Sequence, residues 1–152
     1  MTHSHSEDTK KESANDGEVR RPKREEQEPA SEIVSEVAPN VLRTQLPVNL
    51  PGLGHVNCYV LEDKEGIAVI DPGLPGDDSW AALTTRLKTA GYKITDIHTV
   101  IVTHSHFDHF GSAERIRETT DASILTHENF RKAFNRTEIL ENEDSAALDP
   151  NS

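Results

Sequence analysis

The chain has 152 residues, room for one ordinary domain, with 16 Lys and Arg against 27 Asp and Glu and a net charge of −11. That acidity excludes a general binder of nucleic-acid backbones, which needs cationic surface to displace counterions, and a 34% hydrophobic, 5% aromatic composition with a mean hydropathy of −0.65 is too thin for the whole length to fold. The single cysteine, Cys58, excludes an internal disulfide framework, and no apolar run serves as a secretory signal or a bilayer span, so the expectation is a cytoplasmic protein meeting neither membrane nor nucleic acid.

Residues 1–36 hold ten acids, six bases and no aromatic residue, too little apolar surface to offset the entropy of ordering them. They read as a disordered charged tail. The basic run Arg20-Arg21-Pro22-Lys23-Arg24 is followed at once by Glu25, Glu26 and Glu28, which makes it a solvated charge run rather than a localisation signal. The foldable domain is expected over 37–136. Within it, 41–46 alternates like a strand and 47–54 reads as a Pro/Gly-rich loop. Apolar strands follow over 56–61 and 67–70, joined by the turn Asp63-Lys64-Glu65-Gly66. Asp71-Pro72-Gly73-Leu74-Pro75-Gly76 then breaks the chain. Trp80, Leu83, Leu87 and Ala90 recur at helical spacing, with Asp77, Asp78 or Ser79 available as a cap and Gly91 as a stop. The β-branched run 97–102 suits a buried strand, and Phe110, Ala113 and Ile116 mark one helix face after it. A strand over 122–125 and a short helix over 128–134 complete the pattern. Residues 137–152 carry five acids and no base and read as an acidic flexible tail. Strands first, then strand and helix in alternation, imply a layered α/β arrangement.

The chemistry concentrates where the 97–102 strand ends. Thr103-His104-Ser105-His106-Phe107-Asp108-His109-Phe110-Gly111 places four potential metal ligands on a loop and first helical turn at the carboxyl end of a buried strand, where open sheets expose functional groups. Two histidines one residue apart in an extended loop can share one metal, and Asp108 and His109 can reach a second close by. Imidazole and carboxylate donors suit zinc, with iron or manganese as alternatives. The sequence holds its own control: Thr2-His3-Ser4-His5 repeats Thr103-His104-Ser105-His106 letter for letter, without a preceding strand or a following Asp-His. The tetrapeptide alone means little; its setting makes the second copy informative.

His104-Ser105-His106-Phe107-Asp108-His109 resembles the His-x-His-x-Asp-His signature of the metallo-β-lactamase fold hydrolases. Ile70-Asp71-Pro72-Gly73 resembles the family's Asp-x-Gly turn, and the stretch from His55 through Asn57 and Tyr59 resembles its first hairpin strand. Asp108-His109-Phe110-Gly111 resembles its metal-loop-to-helix junction, where the common second glycine is replaced by Ser112. The resemblance implies the amino-terminal half of an αββα sandwich, with His104 and His106 on one metal and Asp108 and His109 on the other. Asp108 would also be catalytic, orienting the attacking water, and Asp71 would hold the ligand loop from behind. For Asp71 a simple turn-forming role before Pro72 stands beside that reading.

By the same resemblance the cofactor is zinc, two ions in a complete member. The substrate is a small molecule, an ester, thioester or lactone cleaved by metal-activated water, as in the glyoxalase II-like branch. Secreted β-lactamases need a signal peptide, and the tRNA-processing nucleases carry glycine where this chain has Phe107. Persulfide oxidation at iron is a further chemistry of the same loop. A complete member draws its remaining ligands from a second mirrored half, whereas His127 is the one histidine after His109 and suits a surface helix cap. The chain is therefore expected to be the amino-terminal part of a hydrolase, with an uncovered sheet face that invites self-association. The alternative is a catalytically inactive fragment that binds metal weakly or serves only as a protein-interaction chain. Of the other candidates, Cys58 reads as a small buried hydrophobe, His98 as a core or edge histidine, and His55 as a solvent-facing strand start.

Overall fold

Alternation of apolar and polar side chains turns the first half of the domain into an antiparallel meander. The computed structural model describes residues 21–130. Strand β1 spans Ser35–Ala38, β2 Val41–Leu50, β3 Leu53–Asp63 and β4 Gly66–Ile70, each antiparallel to the next. Helix α1, Asp77–Thr89, crosses to β5, Ile97–Ile101, which is parallel to β4. Two short helices, α2 at Phe107–Phe110 and α3 at Ala113–Thr120, lead to β6, Ser123–Leu125, parallel to β5. The result is one six-stranded sheet in sequential order β1 to β6, a mixed α/β half-sandwich as the resemblance implied. No helix among the described residues is long and apolar enough to cross a membrane.

Burial follows the strand period. Leu42, Thr44, Leu46 and Val48 of β2 are buried, and the first three lie opposite Val60, Cys58 and Val56 of β3. That face shares one core with Leu83 and Leu87 of α1 and with Ile116 of α3, so both helices cover the same side of the sheet. Each such side chain withdrawn from water contributes about 1.5–3 kcal/mol. The opposite face carries Arg43, Gln45, Asn57, Tyr59 and Ile101, all half-buried, and Leu125 at 57% exposure.

The structure departs from the sequence reading in several places. The loop expected over 47–54 is a tight hairpin instead, with β2 running to Leu50 and β3 starting at Leu53. Pro51 and Gly52 form the turn, with Gly52 at φ 78°, the Pro-Gly chemistry of a type II turn. Pro47 stays in the strand beside an irregularity in register, where a missing N–H is tolerated. Residues 21–36 are not wholly tail. Glu25–Gln27 makes a helical turn, the Glu28 carbonyl accepts from His55 Nδ1 at 2.7 Å, and Thr44 Oγ1 donates to the Ile33 carbonyl at 3.3 Å. His55, expected in solvent, is accordingly 3% exposed. Helix α1 is entered from Gly76 with no side-chain cap. The single helix expected after the metal loop is broken at Gly111 and Ser112. The Thr2-His3-Ser4-His5 copy, most of the 128–134 helix and the 137–152 tail lie outside the described residues.

Candidate metal centre

Two loops meet at the carboxyl ends of β4 and β5. The first runs 71–76 and opens with Asp71 in the left-handed region at φ 55°, a conformation aspartate tolerates better than most residues. The Asp71 amide donates to the Ile101 carbonyl at 3.0 Å, so the chain turns while still tied to β5. The second loop, 102–106, carries His104 and His106 and leads into α2, whose first turn holds Asp108 and His109.

The loops are stitched together by contacts that need particular residues. Ser112 donates through Oγ to the Leu74 carbonyl at 2.8 Å and is 1% exposed. The residue that replaces the family's second glycine thus fastens one loop to the other. Gly111 has to be glycine for a different reason: a Cβ there would fall on Pro75.

Asp71 organises the site. Its Oδ1 accepts from the Thr103 amide at 2.9 Å, and its Oδ2 accepts from Thr103 Oγ1 at 2.6 Å and His109 Nδ1 at 2.9 Å. Burial alone would raise this carboxyl, but the bonds from His109 and Thr103 outweigh it and hold Asp71 below the ordinary carboxylate range. Thr103 Oγ1 spends its proton on Asp71 and accepts from His104 Nδ1 at 2.8 Å. With Nδ1 of both His104 and His109 donating, both rings present an Nε2 lone pair. An acidic or carbonyl partner on the far nitrogen is how metal-binding histidines are held.

The donors converge. Ligand atoms of Asp71, His104 and His109 lie within 4.8 Å of one another. The His104 ring is 4.0 Å from that of His109 and 4.7 Å from that of His106, centroid to centroid. Asp108 is 9% exposed, and its Oδ2 stands 3.3 Å from His109 Nε2. Imidazole nitrogens and carboxylate oxygens brought this close together are the donor types that fit a divalent metal. Burial, reinforced by His109 and His106, pushes the His104 imidazole down and favours the neutral form that a metal needs. The group of mutually close ligand atoms is thus Asp71, His104 and His109, with the His106 ring beside His104 and the Asp108 carboxylate beside His109.

Thr103 is the participant that motif reasoning passed over. Its signal was a hydroxyl at the strand end, one residue before the first histidine. His127 Nδ1 accepts from the Asn129 amide at 3.1 Å and caps a turn, and it shares a cleft of about 330 Å³ with Thr103 and His104. Cys58 is buried, and its thiol is pushed up to about 12 by burial and then by the charge of Asp71, which leaves it inert. His98 is held by Asp63 and Thr99 at the far end of the sheet.

Known proteins share this architecture. The Metallo-beta-lactamase superfamily model matches residues 51–147. An N-acyl homoserine lactonase of Bacillus cereus is 30% identical over 122 residues, covering 66% of this chain and 48% of that protein. A hydroxyacylglutathione hydrolase of Pseudomonas putida is 34% identical over 85 residues, covering 54% of this chain and 30% of its own length. In three dimensions, a metallo-beta-lactamase family protein from Thermus thermophilus superposes with a TM-score of 0.59 at 27% identity, over 73% of this chain and 35% of that one. The chain spans less than half the length of each of these relatives. With the His-x-His-x-Asp-His loop set at the ends of two parallel strands and matched over most of the described fold, the chain belongs to the metallo-beta-lactamase superfamily.

Proposed function

We propose that this chain supplies the amino-terminal half of a metal-dependent hydrolase site that cleaves a small ester, thioester or lactone. The convergence of Asp71, His104 and His109, with Asp108 against His109, carries the reading. His104 and His106 would hold one ion and Asp108 and His109 another, with zinc best suited to the donors and iron or manganese alternatives. A bound divalent ion supplies an acidified water and a polarised carbonyl. The protein's own part is to favour the neutral His104 ring, to aim the Nε2 atoms of His104 and His109 through Asp71 and Thr103, and to set the Asp108 carboxylate where it can orient the water. The lactonase and the hydroxyacylglutathione hydrolase, the latter of the glyoxalase II-like kind, support an acyl substrate. Buried, free Cys58 suits a cytoplasmic setting, and the half-buried second sheet face supports self-association or cover by another sheet.

Metal analysis with thioester and lactone assays tests the proposal. Close to two equivalents of zinc, with turnover abolished by His104→Ala, is the expected result. Less than one equivalent and no turnover favours the second reading, a chain that binds metal weakly without catalysis. That reading draws on the donor set itself, since four motif ligands shared between two ions leave each short of the three protein ligands usual for a catalytic zinc.

A further inference from the structure

Arg86 lies on α1, the helix that contributes nothing to the metal centre, and is 6% exposed. Its guanidinium makes no hydrogen bond or ion pair among the described residues, and Nε is sealed from solvent without an acceptor. Burying a cation with no counter-charge is costly, so folded proteins pair such groups. Arg86 borders an open cleft of about 560 Å³, within the range of small-molecule sites. Gln27, Asn49 and Thr85 line the same cleft with neutral hydrogen-bonding groups. Glu32 is the one carboxylate in its wall, and it stands exposed and unpaired with Arg86 among the described residues.

A second orphan points the same way. Ser79, two turns before Arg86 on the same face of α1, is 3% exposed, and its Oγ has no partner among the described residues. It borders an adjoining cleft of about 280 Å³ that shares Pro47 and Asn49 with the first. One helix thus carries two buried side chains with an unsatisfied polar atom, each bordering a cleft beside the end of β2.

We propose that the Arg86 cleft binds a small oxyanion, the carboxylate or phosphate group of a ligand separate from the metal site. The guanidinium fork matches the two oxygens of such a group, and its burial strengthens charge-assisted hydrogen bonds. Glu32 on the rim opposes excess negative charge, so the cleft favours a single compact oxyanion group over a polyanion.

Calorimetric titration of the 152-residue chain at constant ionic strength, with inorganic phosphate and separately with acetate, tests this. A ¹H–¹⁵N spectrum follows the Arg86 Nε–H signal through each titration. The expected result is saturable binding at one site, a shift of that signal, and a preference that tells phosphate from carboxylate. Arg86→Met lowers the affinity about 10- to 100-fold, while Glu32→Gln raises it about two- to fivefold by removing the opposing charge. The Glu32 variant changes an exposed residue and keeps the test decisive if Arg86→Met does not fold. Absence of saturable binding by either anion, an unmoved Arg86 signal, or equal affinity in wild type and Arg86→Met overturns the proposal.

Discussion

Asp63 and Asp71 flank β4, and each gathers hydrogen bonds from a backbone amide and a histidine. Asp63 Oδ1 accepts from the Glu65 and Gly66 amides at 2.7 and 3.1 Å, and its Oδ2 pairs with His98 Nε2 at 2.8 Å. The bond from the Glu65 amide is the main reason that its carboxyl, like that of Asp71, is held below the ordinary range. Yet one aspartate closes a surface turn and the other builds a candidate metal centre. Burial separates them first: the Asp63 side chain is 48% exposed, that of Asp71 9%. The free end of each histidine separates them next. His98 uses its second nitrogen on Thr99 at 2.9 Å, whereas His109 keeps its own for the space beside Asp108. An Asp–His pair becomes a ligand support only when it is buried and the ring's far nitrogen is left over.

Exchanging Asp71 for asparagine breaks this contrast with the largest effect. Asparagine tolerates the same backbone conformation, but its one carbonyl oxygen can take at most two of the three hydrogen bonds that Asp71 accepts, and its NH2 group cannot accept the third. Urea unfolding of Asp71→Asn is expected to show about 2–3 kcal/mol lost, from buried donors left unpaired. Zinc affinity, read by competition with a chromophoric chelator, falls about 10- to 100-fold as the ligand loop loses its support. Asp63→Asn leaves zinc affinity unchanged and the urea midpoint close to wild type. Equal responses at the two positions end the distinction drawn between them. Thr103→Val comes next, because it keeps the shape while deleting the hydroxyl that links Asp71 to His104. About 1–2 kcal/mol of stability and a smaller share of zinc affinity are expected to go.

Most of the fold was legible from these residues, because burial follows the period of two in 41–46 and 56–61 and the helical spacing of Leu83 and Leu87. The candidate site was legible in part too, since His104 and His109 of the motif do lie together in the fold. What escaped depends on contacts between distant segments. His55 is buried because the Glu28 carbonyl reaches it across 27 positions, and nothing local to His55 announces that. Thr103 matters because Asp71 lies opposite it, a pairing of two loops that no spacing rule contains. Pro47-to-Gly54 looked like a loop by composition, yet only Pro51 and Gly52 turn, because Val48 finds a place in the core.

Acid titration of the metal-free chain sharpens the comparison more gently. Asp71 is held below the ordinary aspartate value of about 3.9, so its charged form stabilises the fold above that pH and the gain is lost as pH falls through the folded value. His104 is pushed below its ordinary 6.5, so the fold prefers the neutral ring. Its contribution is full above that value and declines as pH drops beneath it. Both losses run toward acid but begin in different windows. Stability followed by urea midpoints is expected to start falling below about pH 6.5 and to steepen below about 4. His104→Ala removes the first decline and leaves the second, which Asp71→Asn reduces, the share of Asp63 remaining.

The smallest effect belongs to the other end of β4. His98→Ala deletes the ring that meets Asp63, but the Asp63 carboxylate remains solvated and keeps both turn amides. An exposed pair of this kind contributes little, and salt screens what there is. The urea midpoint is expected to move within experimental error, and zinc affinity not at all. A loss of zinc binding in His98→Ala would mean that the two ends of the strand are coupled through the sheet. The support for the metal loop would then extend beyond Asp71 and Thr103 to the hairpin turn itself.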